Sequence, residues 1–358
     1  MLAQLGSCAS IFVCAHSRAA VRPVPVGSTR SPAYGGGAVT STFQRKLTAV
    51  VRDLVHPARD TCACTVRRAV LADRADGTVV RHGPAVAKAH ASDGDPSRLA
   101  VRIAVAAHPT LAGVLLPPLP ASPAPLTAVD GRPVSCWPYG SPVDPEAPHQ
   151  APWSAAGTLL ARLHRTDPAG LPGPLPPMRG PEKAAASLDR MRRTATRPAA
   201  RAVEEAWQTL PAWARAAAPM PAPAALCHGD WHLGQLVRTT DDAHGWLLID
   251  VDDLGLGVPA WDLARPAAWY ASDLLPAEDF ARFLDAYRAA RGPAVPPAGD
   301  PWPALDVPAR ALTVQTAATA VAKAAAAGRA LDEVEQAMVD SCVRMAALPP
   351  ELDTAFPK

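Results

Sequence analysis

A chain of 358 residues has material for two lobes, each with its own core, and a net charge of only +2 points to neither nucleic acid nor an acidic surface as a partner. Apolar residues make up 49% of it, yet no run approaches the roughly 18 consecutive apolar residues that cross a bilayer, so the sequence reads as a soluble globular protein without a membrane partner. The seven cysteines are scattered and odd in number, which argues against a disulfide framework and for a reducing cytoplasm.

Residues 1–40 show no sustained periodicity, end in a glycine-rich stretch at Gly35-Gly36-Gly37, and are expected to be a disordered leader. Translation starting near Val39 would fit that reading. Leu5-Gly6-Ser7-Cys8 resembles a lipoprotein cleavage site only superficially, because neither a basic segment nor an adequate apolar stretch accompanies it. From Thr42 to Val55, Phe43, Leu47, Val50, Val51 and Leu54 fall on one helical face, with Pro57 shortly beyond the end. Cys62-Ala63-Cys64 is the only close cysteine pair. With no further Cys or His at a matching spacing beside it, it reads as small buried side chains rather than a metal site.

The period then changes to that of strands. Val66–Ala72, Val79–Arg81 and Ala85–Ala89 are separated by the turn formers Asp76-Gly77 and Gly83-Pro84. A helix is expected over Ser97–Ala107, and then a hairpin of Leu126–Val129 and Pro133–Trp137 about Asp130-Gly131. Beyond Gly140 the pattern is mainly helical. Trp153–His164, Glu182–Met191 and Ala199–Leu210 are predicted helices, Pro168–Pro181 a connection, and three or four long helices follow Trp261, among them the alanine-rich stretch Ala311–Leu331. Between these helices, Trp246–Ile249 is a buried apolar run that delivers Asp250 to its end.

Two segments carry chemistry. HGDWHLGQ, residues 228–235, places Asp230 five positions before Gln235, and LIDVDDLGLGVPAWDLA begins twenty residues later in register, with Asp250 near its start and Asp262 near its end. Asp230 behind Gly229 is a carboxylate able to orient and deprotonate an acceptor hydroxyl. Gln235 and Asp250 are oxygen donors of the kind magnesium takes. Glutamine presents the same amide oxygen as asparagine on a stem one methylene longer, and Gly234 is expected to give the backbone room for it.

Together, in this order and spacing, the two segments resemble the aminoglycoside phosphotransferase family, relatives of choline kinases within the protein-kinase-like fold. Residues 226–265 and the LLARLH stretch carry the resemblance, and over 62–140 it is one of topology. It implies an α+β fold of two lobes: an N-lobe of small antiparallel sheet plus helix over 41–140, and a larger helical C-lobe over 141–358. The implied activity is transfer of the γ-phosphoryl group of ATP, with magnesium, to a hydroxyl of a small molecule, with Asp230 as the catalytic carboxylate and Gln235 and Asp250 as metal ligands. Lys88 on the third strand would contact the nucleotide phosphates. Trp137 and Tyr139 belong to the implied hinge, where Pro138 offers no amide.

Asp262 is expected to brace the catalytic loop, His228, His232 and Trp231 to pack, and Asp252 to orient a turn or support the metal. The predicted helix Ser97–Ala107 offers Arg98 and Arg102 where the family commonly has a glutamate. Asp273, Glu278, Asp279 and Asp285 alternate with arginines, so a neutral sugar, amino alcohol or hydroxylated natural product is expected as the acceptor ahead of a polycation. The alternatives are a sugar kinase similar to maltokinases, which also carry an HGDxHLGQ loop, a non-catalytic nucleotide-binding pseudokinase, and a scaffold that binds no nucleotide.

Overall fold

The computed structural model describes residues 41–57, 62, 64–65, 68–74, 77–119, 126–194, 198–239 and 245–347. The expected leader and the start near Val39 lie outside them. The described residues form two compact units, one of 41–94 with 118–139 and a larger one of 95–117 with 140–347.

In the smaller unit, helix α1 (Thr42–Val55) begins with a capping box: the Ser41 hydroxyl accepts from the Gln44 amide and the Gln44 side chain accepts from the Ser41 amide. The strands are β1 (Ala69–Asp73), β2 (Gly77–His82), β3 (Ala85–His90), β4 (Thr127–Val129) and β5 (Arg132–Pro138), paired antiparallel throughout in the order β1-β2-β3-β5-β4. Alternation along β2 and β3 sends Val80, Ala85, Ala87 and Ala89 to one face, where Leu47 and Val51 of α1 cover them together with Val129, Val134 and Cys136. The expected hairpins are present, although β1 starts later than the sequence suggests and leaves Val70 and Leu71 exposed on an edge strand.

The larger unit holds the helix expected over Ser97–Ala107, observed as α2 (Pro96–Ala106) with Asp95 as its N-cap. Helices α3 (Trp153–His164), α4 (Gly180–Thr194), α5 (Pro198–Gln208), α6 (Ala260–Ala271), α7 (Ala277–Ala289), α8 (Trp302–Ala326) and α9 (Glu333–Ala346) make up its bulk. Alanine-rich α8 is apolar on nearly all sides, and it is the helix that packs against α4, α5, α6 and α9 at once. Short strands lie among the helices. β6 (Ser141–Pro142), β8 (Leu236–Arg238) and β9 (Trp246–Leu248) form one small sheet, while β7 (Ala225–Cys227) pairs antiparallel with β10 (Gly255–Gly257). Among the described residues, no helix is long and apolar enough to cross a membrane.

Candidate active site

The β7–β10 pair places Cys227 opposite Gly255, so the HGD turn that follows β7 and the segment 250–254 that precedes β10 lie side by side. Gly229 takes φ +85°, and a Cβ there would stand 2.3 Å from the carbonyl oxygen of Asp253. Only glycine fits on both counts. His228 donates from Nε2 to the Ile249 carbonyl (2.7 Å), which ties the turn to the end of β9.

Asp262 clamps this turn. Its carboxylate, 1% exposed on α6, accepts the backbone N–H of His228 (2.6 Å) and of Gly229 (2.8 Å). It also accepts from His164 Nε2 (3.0 Å), whose Nδ1 takes the hydroxyl of Tyr287 (2.8 Å), and that hydroxyl in turn accepts the Ala294 amide (2.9 Å). Burial holds the Tyr287 phenol well above its ordinary range, so it stays a neutral donor. Asp262 makes no cap for its own helix, which begins at Ala260 behind the N-cap residue Pro259 without a side-chain cap bond. Bracing of the loop is the role it plays here.

Asp230 emerges from the turn between two cations. Lys183 Nζ of α4 donates to Oδ2 (2.7 Å) and the Arg265 guanidinium of α6 to Oδ1 (2.9 Å). Lys183 also reaches Asp253 Oδ2 (2.7 Å), so it bridges two carboxylates, and Arg265 further donates to the Trp231 carbonyl (3.2 Å). Burial alone would raise the Asp230 pKa, but Lys183 and Arg265 outweigh it and hold the carboxyl well below its usual range. Burial raises Asp253, and its two carboxylate partners hold Lys183 firmly protonated against the desolvation that opposes charge.

Asp253, Lys183 and Arg265 were not singled out from the sequence. Arg265 follows Asp262 by one helical turn and could have been read from that spacing. Lys183 stands 47 residues before Asp230, and no local pattern marks it. Arg102, noted in place of an expected glutamate, is a buried cation whose Nε donates to the Leu254 carbonyl (2.7 Å) and whose NH2 donates to Pro177 (3.3 Å), pinning the segment before β10.

Gln235 and Asp250 come together as well, with Gln235 Nε2 3.4 Å from Asp250 Oδ2. Asp250 adopts φ 66°, ψ 76° immediately before the single turn Val251–Asp253 that contains Asp252. Gly234 is not in the left-handed region. Its lack of a side chain instead makes room for the His232 ring, which would lie 2.8 Å from a Cβ and whose Nδ1 accepts the Gly234 amide. Burial pushes His232 down to about 4, so it is neutral near pH 7. Trp231 is core, stacked on Phe283 at 5.3 Å.

The remaining predicted residues belong to the smaller unit. Lys88 lies on β3 opposite Val79 and Ser135, with its stem against Gly77. Trp137 lies on β5 opposite Val86, and its ring Nε1 donates to Ser135 Oγ (2.7 Å). The Tyr139 amide donates to the Pro84 carbonyl (2.7 Å), and the Arg81 guanidinium sits 3.4 Å above the Tyr139 ring. Any contact of Tyr139 with a bound base must therefore use groups other than its amide.

The antiparallel sheet, the helical bulk and the HGD turn define the kinase-like fold of small-molecule phosphotransferases. Solved structures of similar fold include choline kinase from Cryptosporidium parvum Iowa II, with a TM-score of 0.55 and 10% identity over 87% of this chain and 99% of that one. A thermostable mutant of aminoglycoside phosphotransferase APH(4)-Ia, solved in a ternary complex with AMP-PNP and hygromycin B, gives 0.53 and 14% over 83% and 99%. No curated protein matches the sequence. The profile of the phosphotransferase enzyme family matches residues 35–305, and the chain belongs to that family. Its family is one of phosphotransferase enzymes.

Proposed function

We propose that this chain transfers the γ-phosphoryl group of ATP, with magnesium, to a hydroxyl of a small molecule, and that Asp230 is the catalytic carboxylate. The observation that carries this reading is the setting of Asp230: an ionised carboxylate on a clamped turn, beside a converging Gln235–Asp250 pair. Phosphoryl transfer through a loose transition state asks the protein for alignment and charge more than for a strong base. A carboxyl held as low as Asp230 suits that demand, since it orients the acceptor hydroxyl and takes its proton late. Lys183 and Arg265 fix the two oxygens of Asp230 and so the direction in which the hydroxyl is presented.

Gln235 and Asp250 fit a hard divalent cation. Rotation of the Gln235 amide about its terminal bond exchanges nitrogen for oxygen and leaves an amide oxygen beside a carboxylate oxygen, the donor pair magnesium favours. A bound magnesium ion would neutralise phosphate charge there. In the smaller unit, Lys88 is the proposed contact for the nucleotide phosphates, and Trp137 and Tyr139 for the base. Nucleotide use is supported by the relative APH(4)-Ia, whose solved structure holds AMP-PNP.

For the acceptor, a neutral sugar, amino alcohol or hydroxylated natural product is favoured over a polycation. Asp279 on α7 is already paired with Arg282, so that acidic face is partly neutralised. ADP release from ATP and magnesium across a panel of hydroxyl acceptors tests the reading, with nucleotide binding followed by thermal shift. Selective turnover of aminoglycosides would overturn the acceptor preference, and absence of both nucleotide binding and turnover would overturn the assignment.

A further inference from the structure

Away from the residues discussed above, the smaller unit draws four metal-ligating side chains into one cluster. His56 is the C-cap of α1, Cys62 and Cys64 follow it in the chain, and His82 ends β2. His56 Nε2 lies 3.1 Å from Cys64 Sγ and 3.3 Å from Cys62 Sγ, and Cys62 Sγ lies 3.3 Å from His82 Nε2. All four ligand atoms fall within 4.8 Å of one another. In a tetrahedral zinc site, with Zn–S about 2.3 Å and Zn–N about 2.0–2.1 Å, a sulfur and a nitrogen stand about 3.6 Å apart. The observed separations are close to the edges of such a tetrahedron.

Two local features fix the sulfurs at this place. The Cys64 backbone N–H donates to Cys62 Sγ (3.3 Å), which holds that sulfur beside the imidazoles. In the β2–β3 turn, Gly83 takes φ +56°, and a Cβ there would press to 2.6 Å from Cys64 Sγ. Glycine thus serves both the turn and the sulfur behind it. The sequence reading of the pair as small buried side chains rested on the lack of further ligands at a matching spacing; both cysteines are half-buried, and two imidazoles stand beside them, supplied by the end of a helix and the end of a strand that only the fold brings together.

We propose that His56, Cys62, Cys64 and His82 form a structural zinc(II) site that ties the end of α1 to the β2–β3 turn. Two thiolates balance the charge of the ion, and zinc uptake by the thiol form releases two protons to solvent. The donor set selects zinc over magnesium, and four protein ligands fill the coordination sphere, which leaves no open position for substrate. Such a tie has a physical use in this unit. Its buried cluster contains three alanines, Ala85, Ala87 and Ala89, and its edge strand leaves Val70 and Leu71 in solvent. Small cores of this kind gain from a metal staple.

The test uses the untagged full-length chain, expressed with zinc and kept reduced, and reads metal content by mass spectrometry and geometry by cobalt(II) substitution. About one zinc per chain and the absorption of a tetrahedral, sulfur-ligated cobalt site are expected. Cys62→Ser combined with Cys64→Ser should lower bound zinc by about tenfold or more. Because that double variant could fail to fold, alkylation of the wild-type chain provides a second readout: Cys62 and Cys64 should react about tenfold faster after zinc is chelated, and zinc should restore protection. A wild-type chain that neither carries nor takes up zinc overturns the proposal. So does unchanged zinc in the double variant, labelling of the pair that ignores zinc, or a Cys62–Cys64 disulfide in the native protein.

Discussion

The turn after β7 and the turn between β2 and β3 both depend on a positive-φ glycine against which another part of the chain packs closely, yet the two are held by different chemistry. In the first, the Asp262 carboxylate takes two backbone amides and an imidazole N–H, and the hydrogen-bond chain runs on through Tyr287 to Ala294. Every partner there is supplied by the chain. In the second, two sulfurs and two imidazoles face one another, groups that bond weakly among themselves and strongly to a soft or borderline cation. The larger unit should therefore hold its turn whatever ion is present, whereas the smaller one should loosen when zinc is withdrawn.

The largest effect should come from breaking the all-protein clamp. Asp262→Ala leaves the His228 and Gly229 amides and the His164 N–H without their acceptor, and each buried unsatisfied group costs about 1–3 kcal/mol. Hydrogen exchange at the Gly229 amide should accelerate sharply, and turnover should vanish with the geometry of Asp230. Protection of that amide unchanged from wild type would show that the clamp is not what holds the turn.

Asp230→Asn keeps the clamp and removes the charge. Phosphoryl transfer should fall by about 100- to 10,000-fold, the range of a positioned general base. Activity within a few fold of wild type would place the base elsewhere. The same variant carries a pH signature. The Asp230 carboxyl stays ionised in the fold below its ordinary value of 3.8, so on acidification the unfolded chain binds a proton that the folded chain does not. Its contribution, full at neutral pH, is lost as pH falls from about 5 toward the depressed folded value, and Asp230→Asn should flatten that acid limb in urea unfolding.

Gln235→Leu, similar in size but without an oxygen, should lower turnover by roughly 10- to 1,000-fold and raise the magnesium requirement, while Gln235→Asn retains more activity. Equal turnover of wild type and Gln235→Leu across a magnesium titration would remove Gln235 from the metal site.

What could be read in the sequence follows from how far apart the cooperating groups lie. Asp230, Gln235 and Asp250 sit within two short stretches at fixed spacing, so residue type and order were enough to group them. Lys183 reaches Asp230 from a helix 47 residues earlier, and only the packing of α4 brings them together. The zinc ligands illustrate the same limit: Cys62 and His82 are 20 residues apart, and their meeting depends on β2 running back to the end of α1. Hairpins with Asp-Gly and Gly-Pro turns were legible, as were the amphipathic helices. The three-residue strands β7, β8 and β10 are too short to show any period, although they flank and pair around the HGD turn.

The smallest effect uses a motif that both units share. A capping box opens α1 at Ser41 and another opens α9 at Asp332, where Glu335 is also gripped by both terminal nitrogens of Arg329 at 2.6 Å. Loss of an N-cap side chain costs about 0.5–2 kcal/mol, so Ser41→Ala and Asp332→Ala should each lower stability modestly. They should differ in how they respond to metal. Helix α1 is fixed by the cap at its first turn and, through His56, by the proposed zinc site at its last, and between these it buries Leu47 and Val51 fully and packs Phe43, Val50, Leu54 and Val55 partly buried on the same core. With zinc bound, Ser41→Ala should fray the first turn alone, seen as faster exchange near Gln44. With zinc chelated, both ends are released, and the same substitution should cost more than in the zinc-bound protein. Asp332→Ala, in a helix far removed from the cluster in sequence and packed on α5 and α8, should cost the same in both states. A Ser41→Ala effect that is identical with and without zinc would show that the two ends of α1 are not coupled through the metal.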